Sequence, residues 1–300
     1  MKRLGRFGLV CLLAIATVLV MSLCVDAKHK KHKNENKRNG RVEYIENRNT
    51  HDRRAQSYIS RGINSAHAVN SGLTEVKVNS HYRNTVKRYS AMTVNFNPSY
   101  RVPNCVSYVL TNTMVSLTDG PGAEHRRNYK FYSDPSVKGC PEWHEYKGSG
   151  YDRGHMAPAN DMRWSRQSMS DCFLMTNICP QDHDLNGGSW NKLELKIHDW
   201  ARNNGKLIVA TGPIFNGSNK RIGKNNDIVV PAGFFKVVLD PNRNRAIGFL
   251  YDNHEGGGGV KRHSCTVDEV ERITGHDFFS ALPDDVERAV ESRCNFDQWN

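Results

Sequence analysis

The chain has eight cysteines but no Cys-x-x-Cys pair, and thirteen histidines but no His-x-x-x-His spacing. The first absence argues against a structural zinc site, whose ligands usually come in such pairs. The second argues against the helical histidine pair of zinc hydrolases. No segment repeats itself, which excludes a solenoid or propeller. Long apolar runs are scarce. The most extended, Leu9 to Leu23, carries no charge, yet it falls short of the roughly 20 apolar residues that span a bilayer. Strands and helices do not alternate, which argues against a doubly wound parallel sheet.

What is present begins with a leader. Lys2, Arg3 and Arg6 precede the apolar run, and Val25-Asp26-Ala27 follows it. This order predicts a secretory signal peptide over residues 1–27 and a secreted or periplasmic product with no membrane attachment after cleavage. A membrane anchor is the competing reading and is weakened by the length of the run. A lipid anchor at Cys24 is weakened by the bulk of Leu23. Removing the leader leaves Cys105, Cys140, Cys172, Cys179, Cys265 and Cys294. An even number in an exported chain predicts disulfides, although sequence does not choose among the pairings. Cys265 with Cys294 would staple the C-terminal segment.

The formal net charge is +11, unevenly spread: residues 28–54 hold ten Lys and Arg against four Asp and Glu. Lys28-His29-Lys30-Lys31-His32-Lys33 has the chemistry to chelate a metal or bind a polyanion, but its composition better fits a solvated, disordered leader. Residues 28–88 read as a basic polar tail and linker. Residues 89–300 then form one globular domain, long enough for a substantial core. Within it Met92–Phe96, Val106–Leu110, Leu207–Ala210, Phe234–Leu239 and Ala246–Leu250 have strand character. Ser189 to Asn203 reads as a helix with Leu193, Ile197, Trp200 and Ala201 on one stripe and Asn204-Gly205 as its stop. A second helix starts near Thr266 with Glu269 completing a capping box. A third opens at Pro283-Asp284-Asp285, with acids in its first turn. These elements predict an α+β fold with a central, mainly antiparallel sheet flanked by helices.

The chemistry concentrates in Tyr151-Asp152-Arg153-Gly154-His155-Met156-Ala157-Pro158-Ala159-Asn160-Asp161. On an extended backbone Arg153 and His155 share a face. A permanent cation beside a base that titrates near neutrality suits attack on a phosphodiester. Further on come Thr176-Asn177-Ile178-Cys179-Pro180-Gln181, Asp184-Leu185-Asn186-Gly187-Gly188 and Trp190-Asn191-Lys192-Leu193-Glu194. Together these motifs resemble the DNA/RNA non-specific endonuclease family, the ββα-metal group that includes secreted bacterial nucleases and mitochondrial endonuclease G. The resemblance runs from about Tyr89 to near the C-terminus, through Thr211-Gly212-Pro213-Ile214-Phe215 and Leu282-Pro283-Asp284-Asp285.

The resemblance implies a ββα finger with His155 as general base. By itself Asn186 reads as a helix N-cap. The resemblance makes it the one direct protein ligand of a metal ion. A neutral amide oxygen suits Mg²⁺, with Mn²⁺ as a substitute, because that ion keeps waters and takes substrate phosphate into its shell. Glu194, about 80° round an ideal helix from Asn186, is implied to act on the ion through water. Its alternative is a solvated glutamate pairing Lys196 or His198. Asn177 is implied to orient groups around the histidine and phosphate, or is a hydrogen-bonded turn residue. Arg153 would stabilise charge on the phosphate. Arg127, with Arg126 beside it, resembles a second family arginine. Asp152 would fix Arg153 or the turn. His198 stands where the family carries a further arginine. The implied activity is metal-dependent, sequence-non-specific hydrolysis of DNA and RNA leaving 5′-phosphate ends. The alternatives are a nucleotide phosphodiesterase on the same scaffold, separable by dinucleotide cleavage, and a non-catalytic nucleic-acid-binding protein, which would not require His155, Asn186 and Glu194 together.

Overall fold

Phe234 to Leu239 is buried at every position rather than at alternate ones, and so is Met92 to Asn97. Continuous burial requires cover on both faces of a sheet. The computed structural model describes residues 72–254 and 257–299, and these fall in the unit His67–Asn300. The expected signal peptide and the basic stretch 28–54 lie outside the described residues.

In chain order the elements are β1 (Thr85–Arg88), β2 (Met92–Asn97), β3 (Val102–Thr111), α1 (Asn112–Asp119), β4 (Asp152–His155), α2 (Ala159–Met162), α3 (Arg166–Cys172), β5 (Ile178–Gln181) and α4 (Asn191–Asn204). Then come β6 (Lys206–Ile214), β7 (Arg221–Ile222), β8 (Ile228–Val229), β9 (Gly233–Asp240), β10 (Arg245–Asp252), β11 (Ser264–Cys265), α5 (Val267–Thr274) and α6 (Asp284–Glu291). Seven strands form one sheet in the order β1-β2-β3-β6-β9-β10-β11. Every neighbouring pair in it is antiparallel. The fold is α+β, as the order of strands and helices predicts.

The two faces of β9 divide the core. Phe235, Val237 and Leu239 join Val109, Ile208, Val267, Val270, Phe278 and Val290 in one buried cluster, so α5 and α6 cover that face. Phe234, Lys236 and Val238 point the other way by strand alternation. There Trp190 packs on Phe234 with ring centroids 5.6 Å apart, and Trp200 on Phe249 at 6.2 Å. The Leu193, Ile197, Trp200 and Ala201 stripe of α4 is fully buried or nearly so. Leu193 and Ile197 each contribute roughly 1.5–3 kcal/mol of transfer free energy. Gly205 ends α4 at φ +95°, with its N–H donating to Ala201 O, the stop that Asn204-Gly205 predicts. Thr266 caps α5 by accepting from Glu269 N–H. The Glu269 carboxylate pairs with Arg272.

The finger consists of β4 and β5, paired antiparallel with Arg153 opposite Pro180 and His155 opposite Ile178. The short helices α2 and α3 lie between them in sequence. A Cβ on Gly154 would sit 2.2 Å from Gln181 Oε1 and 2.6 Å from its Cβ. Only glycine lets the two strands close at this point.

Two expectations differ from the structure. Residues 72–88, counted with the linker above, contribute β1 to the sheet edge and a bridge between Lys77 and Asp277. Thr85–Arg88 is largely exposed and charged, as edge strands are, so it carries no apolar alternation to read. The six cysteines are all free. Cys105, Cys172 and Cys179 are wholly enclosed, where a thiol serves as a small apolar group.

Candidate active site

The finger brings His155 to the floor of a cavity of about 520 Å³, which His125, Arg126, Asn160, Arg163, Asn186, Asn191 and Glu194 also line. The imidazole is seated on two aromatic rings, with centroid distances of 5.2 Å to Phe131 and 5.0 Å to Phe173. Each ring carries a guanidinium. Arg153 lies 5.0 Å from the Phe131 centroid and Arg126 5.4 Å from that of Phe173. Two fixed cations therefore flank the histidine. Burial, reinforced by the Arg126 charge, pushes the His155 pKa down to about 3. The ring is neutral at physiological pH and its Nε2 is free of hydrogen bonds. The neutral ring has the form a general base requires, while so low a pKa makes it a weak base in the free protein.

Asn186 sits in a wide helical turn, Leu185–Trp190, in which Gly188 takes a non-helical φ/ψ of −102°/−108°. This turn runs into α4 and places Asn186 and Glu194 on the same cavity. The Asn186 amide nitrogen donates to Asp152 Oδ2 at 2.9 Å, which fixes the amide plane and leaves Oδ1 as its acceptor end. Asp152 is thus tied to Asn186, and also to His183 Nδ1 at 2.9 Å, rather than to Arg153. Arg153 instead donates to Trp143 O at 3.3 Å.

Glu194 is held from below. Lys236 on β9 is fully buried, with its Nζ 3.9 Å from Glu194 Oε1 and 4.6 Å from the Trp190 ring centroid. Burial pushes the Glu194 carboxyl up to about 7; Lys236 opposes the shift and Asp161 adds to it. Burial also lowers the Lys236 ammonium, against the attraction of Glu194 and Asp161. Asp161 is itself buried and accepts from Tyr108 Oη and from His198 Nδ1, each at 2.9 Å. His198 is turned into this network and away from the cavity.

Asn177 closes a short turn, Met175–Asn177, just before β5. Its amide donates to Ala157 O and Cys172 O and accepts from Ala157 N–H, each at 2.9 Å. With no exposed surface, it acts on the site by clamping the backbone that follows His155. Arg127 is exposed and does not line the cavity, whereas Arg126 does.

Asn186 and Glu194 line one cavity and offer it a neutral amide oxygen and a carboxylate. Glu194 Oε1 is buried toward Lys236, 3.9 Å away, which leaves Oε2 as its other oxygen. Amide and carboxylate oxygens fit a hard divalent cation that retains water. Sequence reading missed Arg126, Asn160, Arg163, Asn191 and Lys236. The signal for Lys236 was a single lysine inside an otherwise apolar strand.

The pattern of the DNA/RNA non-specific endonuclease family matches residues 69–285. The mitochondrial nuclease EXOG of Danio rerio is 32% identical over 213 residues, 65% of this chain and 60% of that protein. A nuclease of Nostoc sp. is 29% identical over 242 residues, 75% of this chain and 83% of that one. Human mitochondrial endonuclease G is 36% identical over 132 residues, 39% of this chain and 43% of that protein. The chain thus spans about three fifths of the length of the EXOG relatives it matches. Its fold superposes on a chain from a crystal structure of the EndoG/EndoGI complex with a TM-score of 0.61 and 25% identity, covering 67% of this chain and 88% of the other. A finger that gathers His155, Asn186 and Glu194 about one cavity, within a stretch that the family pattern covers from 69 to 285, identifies this chain as a member of the DNA/RNA non-specific endonuclease family.

Proposed function

We propose that the chain is a metal-dependent endonuclease that hydrolyses phosphodiester bonds of DNA and RNA without sequence specificity and leaves 5′-phosphate ends. The observation that carries this reading is the buried, unpartnered Nε2 of a neutral His155 on a cavity shared with Asn186 and Glu194. His155 takes the proton of the attacking water. Arg153 and Arg126 stabilise charge on the phosphate oxygens as they develop it. Asn186 and Glu194 would hold Mg²⁺, with Mn²⁺ as a substitute, the first directly and the second through water; the ion supplies positive charge to the phosphate and the leaving 3′-oxygen. Contacts of this kind grip the backbone and read no bases.

The protein is proposed to work outside the cytoplasm. Leu9 to Leu23 is one uninterrupted uncharged run, unlike the amphipathic, arginine-rich pattern of a mitochondrial transit peptide. Cys265 and Cys294 are free in the structure, and an oxidising compartment would allow them to pair. The Cys265 thiol, raised to about 12 mainly by burial, also feels the Cys294 charge.

Purified protein is incubated with plasmid and with RNA in EDTA, and Mg²⁺ is then added in excess. Cleavage of both substrates on addition of Mg²⁺ is expected. Full cleavage while the chelator is in excess would defeat the reading.

A further inference from the structure

A second depression, of about 570 Å³, is lined by His144, Lys147, Lys220, Arg221 and Lys224. All five are exposed. The acids at this place are already engaged: Arg101 pairs with Glu145 at 2.7 Å and with Asp227 at 2.6 Å. With Lys147, Lys220, Arg221, Lys224 and Arg101 against Glu145 and Asp227, the groove keeps a net positive charge. The groove adjoins the finger that carries His155. Lys220 Nζ lies 4.7 Å from the ring centroid of Tyr151, and Tyr151 leads directly into β4 with Arg153 and His155. Arg153 donates to the backbone oxygen of Trp143, the residue before His144. Trp143 is 47% exposed, and its ring lies 5.8 Å from that of His144, which lines the groove.

We propose that this groove binds the strand that flanks the scissile phosphate, with its phosphates on Lys147, Lys220, Arg221 and Lys224 and an unstacked base on Trp143. The inference rests on the endonuclease reading above. A basic track with an exposed aromatic ring is the chemistry of sequence-tolerant single-strand binding. Tyr151 and His155 are four residues apart on nearly extended backbone, roughly 13 Å. A stacked strand advances about 3.4 Å per phosphate and an unstacked one further, so that distance covers at most about four nucleotides. Only substrates longer than this reach the groove.

The test uses the full chain, the Lys220→Glu/Lys224→Glu double variant and Trp143→Ala. Two quantities are read: the ratio of kcat/KM on a 20-nucleotide thymidine strand to that on a dinucleotide, and binding of the labelled 20-mer in EDTA by anisotropy. In the double variant the ratio is expected to fall about tenfold and the log–log salt slope of binding to become shallower by about 1.4, at roughly 0.7 per single-strand phosphate. Trp143→Ala is expected to weaken 20-mer binding about tenfold while the slope stays as it was. An unchanged ratio and slope in folded double variant would overturn the proposal. So would loss of heparin binding in that variant with 20-mer binding intact, since the groove would then serve sulfated glycans. If the wild type cleaves neither substrate, the endonuclease reading fails, while binding of the 20-mer still reports on the groove.

Discussion

At the residue scale, His155 and Glu194 are displaced in opposite directions by the same cause. Burial holds His155 at about 3 instead of 6.5 and Glu194 at about 7 instead of 4.5. The folded state prefers the uncharged form of each. For His155 that contribution to stability is complete above pH 6.5 and is lost as pH falls toward 3. For Glu194 it is complete below pH 4.5 and is lost as pH rises through 7. A histidine with an ordinary pKa would make cleavage fade below about pH 6. The buried one stays neutral well below that, so the acid limb belongs to Glu194, whose ionised form serves the metal. At sub-saturating Mg²⁺, kcat/KM is expected to rise with pH through about 7 in the wild type, because only ionised Glu194 serves the ion. Glu194→Gln is expected to be slower and flat from about pH 6 to 8. A limb that persists at the same pH in Glu194→Gln would assign it to another group. His155 stood out in the Asp152–His155 motif, and Asn186 and Glu194 were readable through the family resemblance, since alone they read as an N-cap and a solvated helix glutamate. Arg126 and Lys236 were not. Two adjacent arginines are indistinguishable until a turn orients them, and Lys236 reaches Glu194 only through the register of a distant strand.

At the element scale, the long strands and α4 to α6 were legible because their apolar patterns and caps are strong. The elements β4 and β5 and the helices α1 to α3 are only four to eight residues long, too short for a periodic signal. Their shape comes from contacts across the chain, and Asn177 supplies three of them. Asn177→Ala would leave Ala157 N–H, Ala157 O and Cys172 O without partners in the interior. Each lost partner costs about 1–3 kcal/mol. The expected outcome is a lower urea midpoint, with slower cleavage that follows from the loosened loop after His155. Unchanged stability with abolished turnover would instead make Asn177 a direct substrate contact.

At the scale of the whole molecule, charge and chemistry lie in different parts of the chain. Residues 28–54 carry ten Lys and Arg against four Asp and Glu, while the cavity residues all lie between His125 and Glu194. Deleting 28–54 is expected to raise KM for long DNA at low salt and to flatten its salt dependence by about 0.9 per phosphate contact removed. The kcat on saturating DNA should hold; its collapse in a folded deletion protein would place part of the active site in the tail.

The central claim is that the cavity around His155 is where phosphodiester bonds are cut. Its most direct measurement compares wild type and His155→Ala on plasmid at saturating Mg²⁺, with DNA binding followed in parallel by anisotropy. The account predicts equal binding and a kcat lower by about 10²–10⁴ in the variant, the usual cost of losing a general base. Near-native cleavage by folded His155→Ala would contradict it.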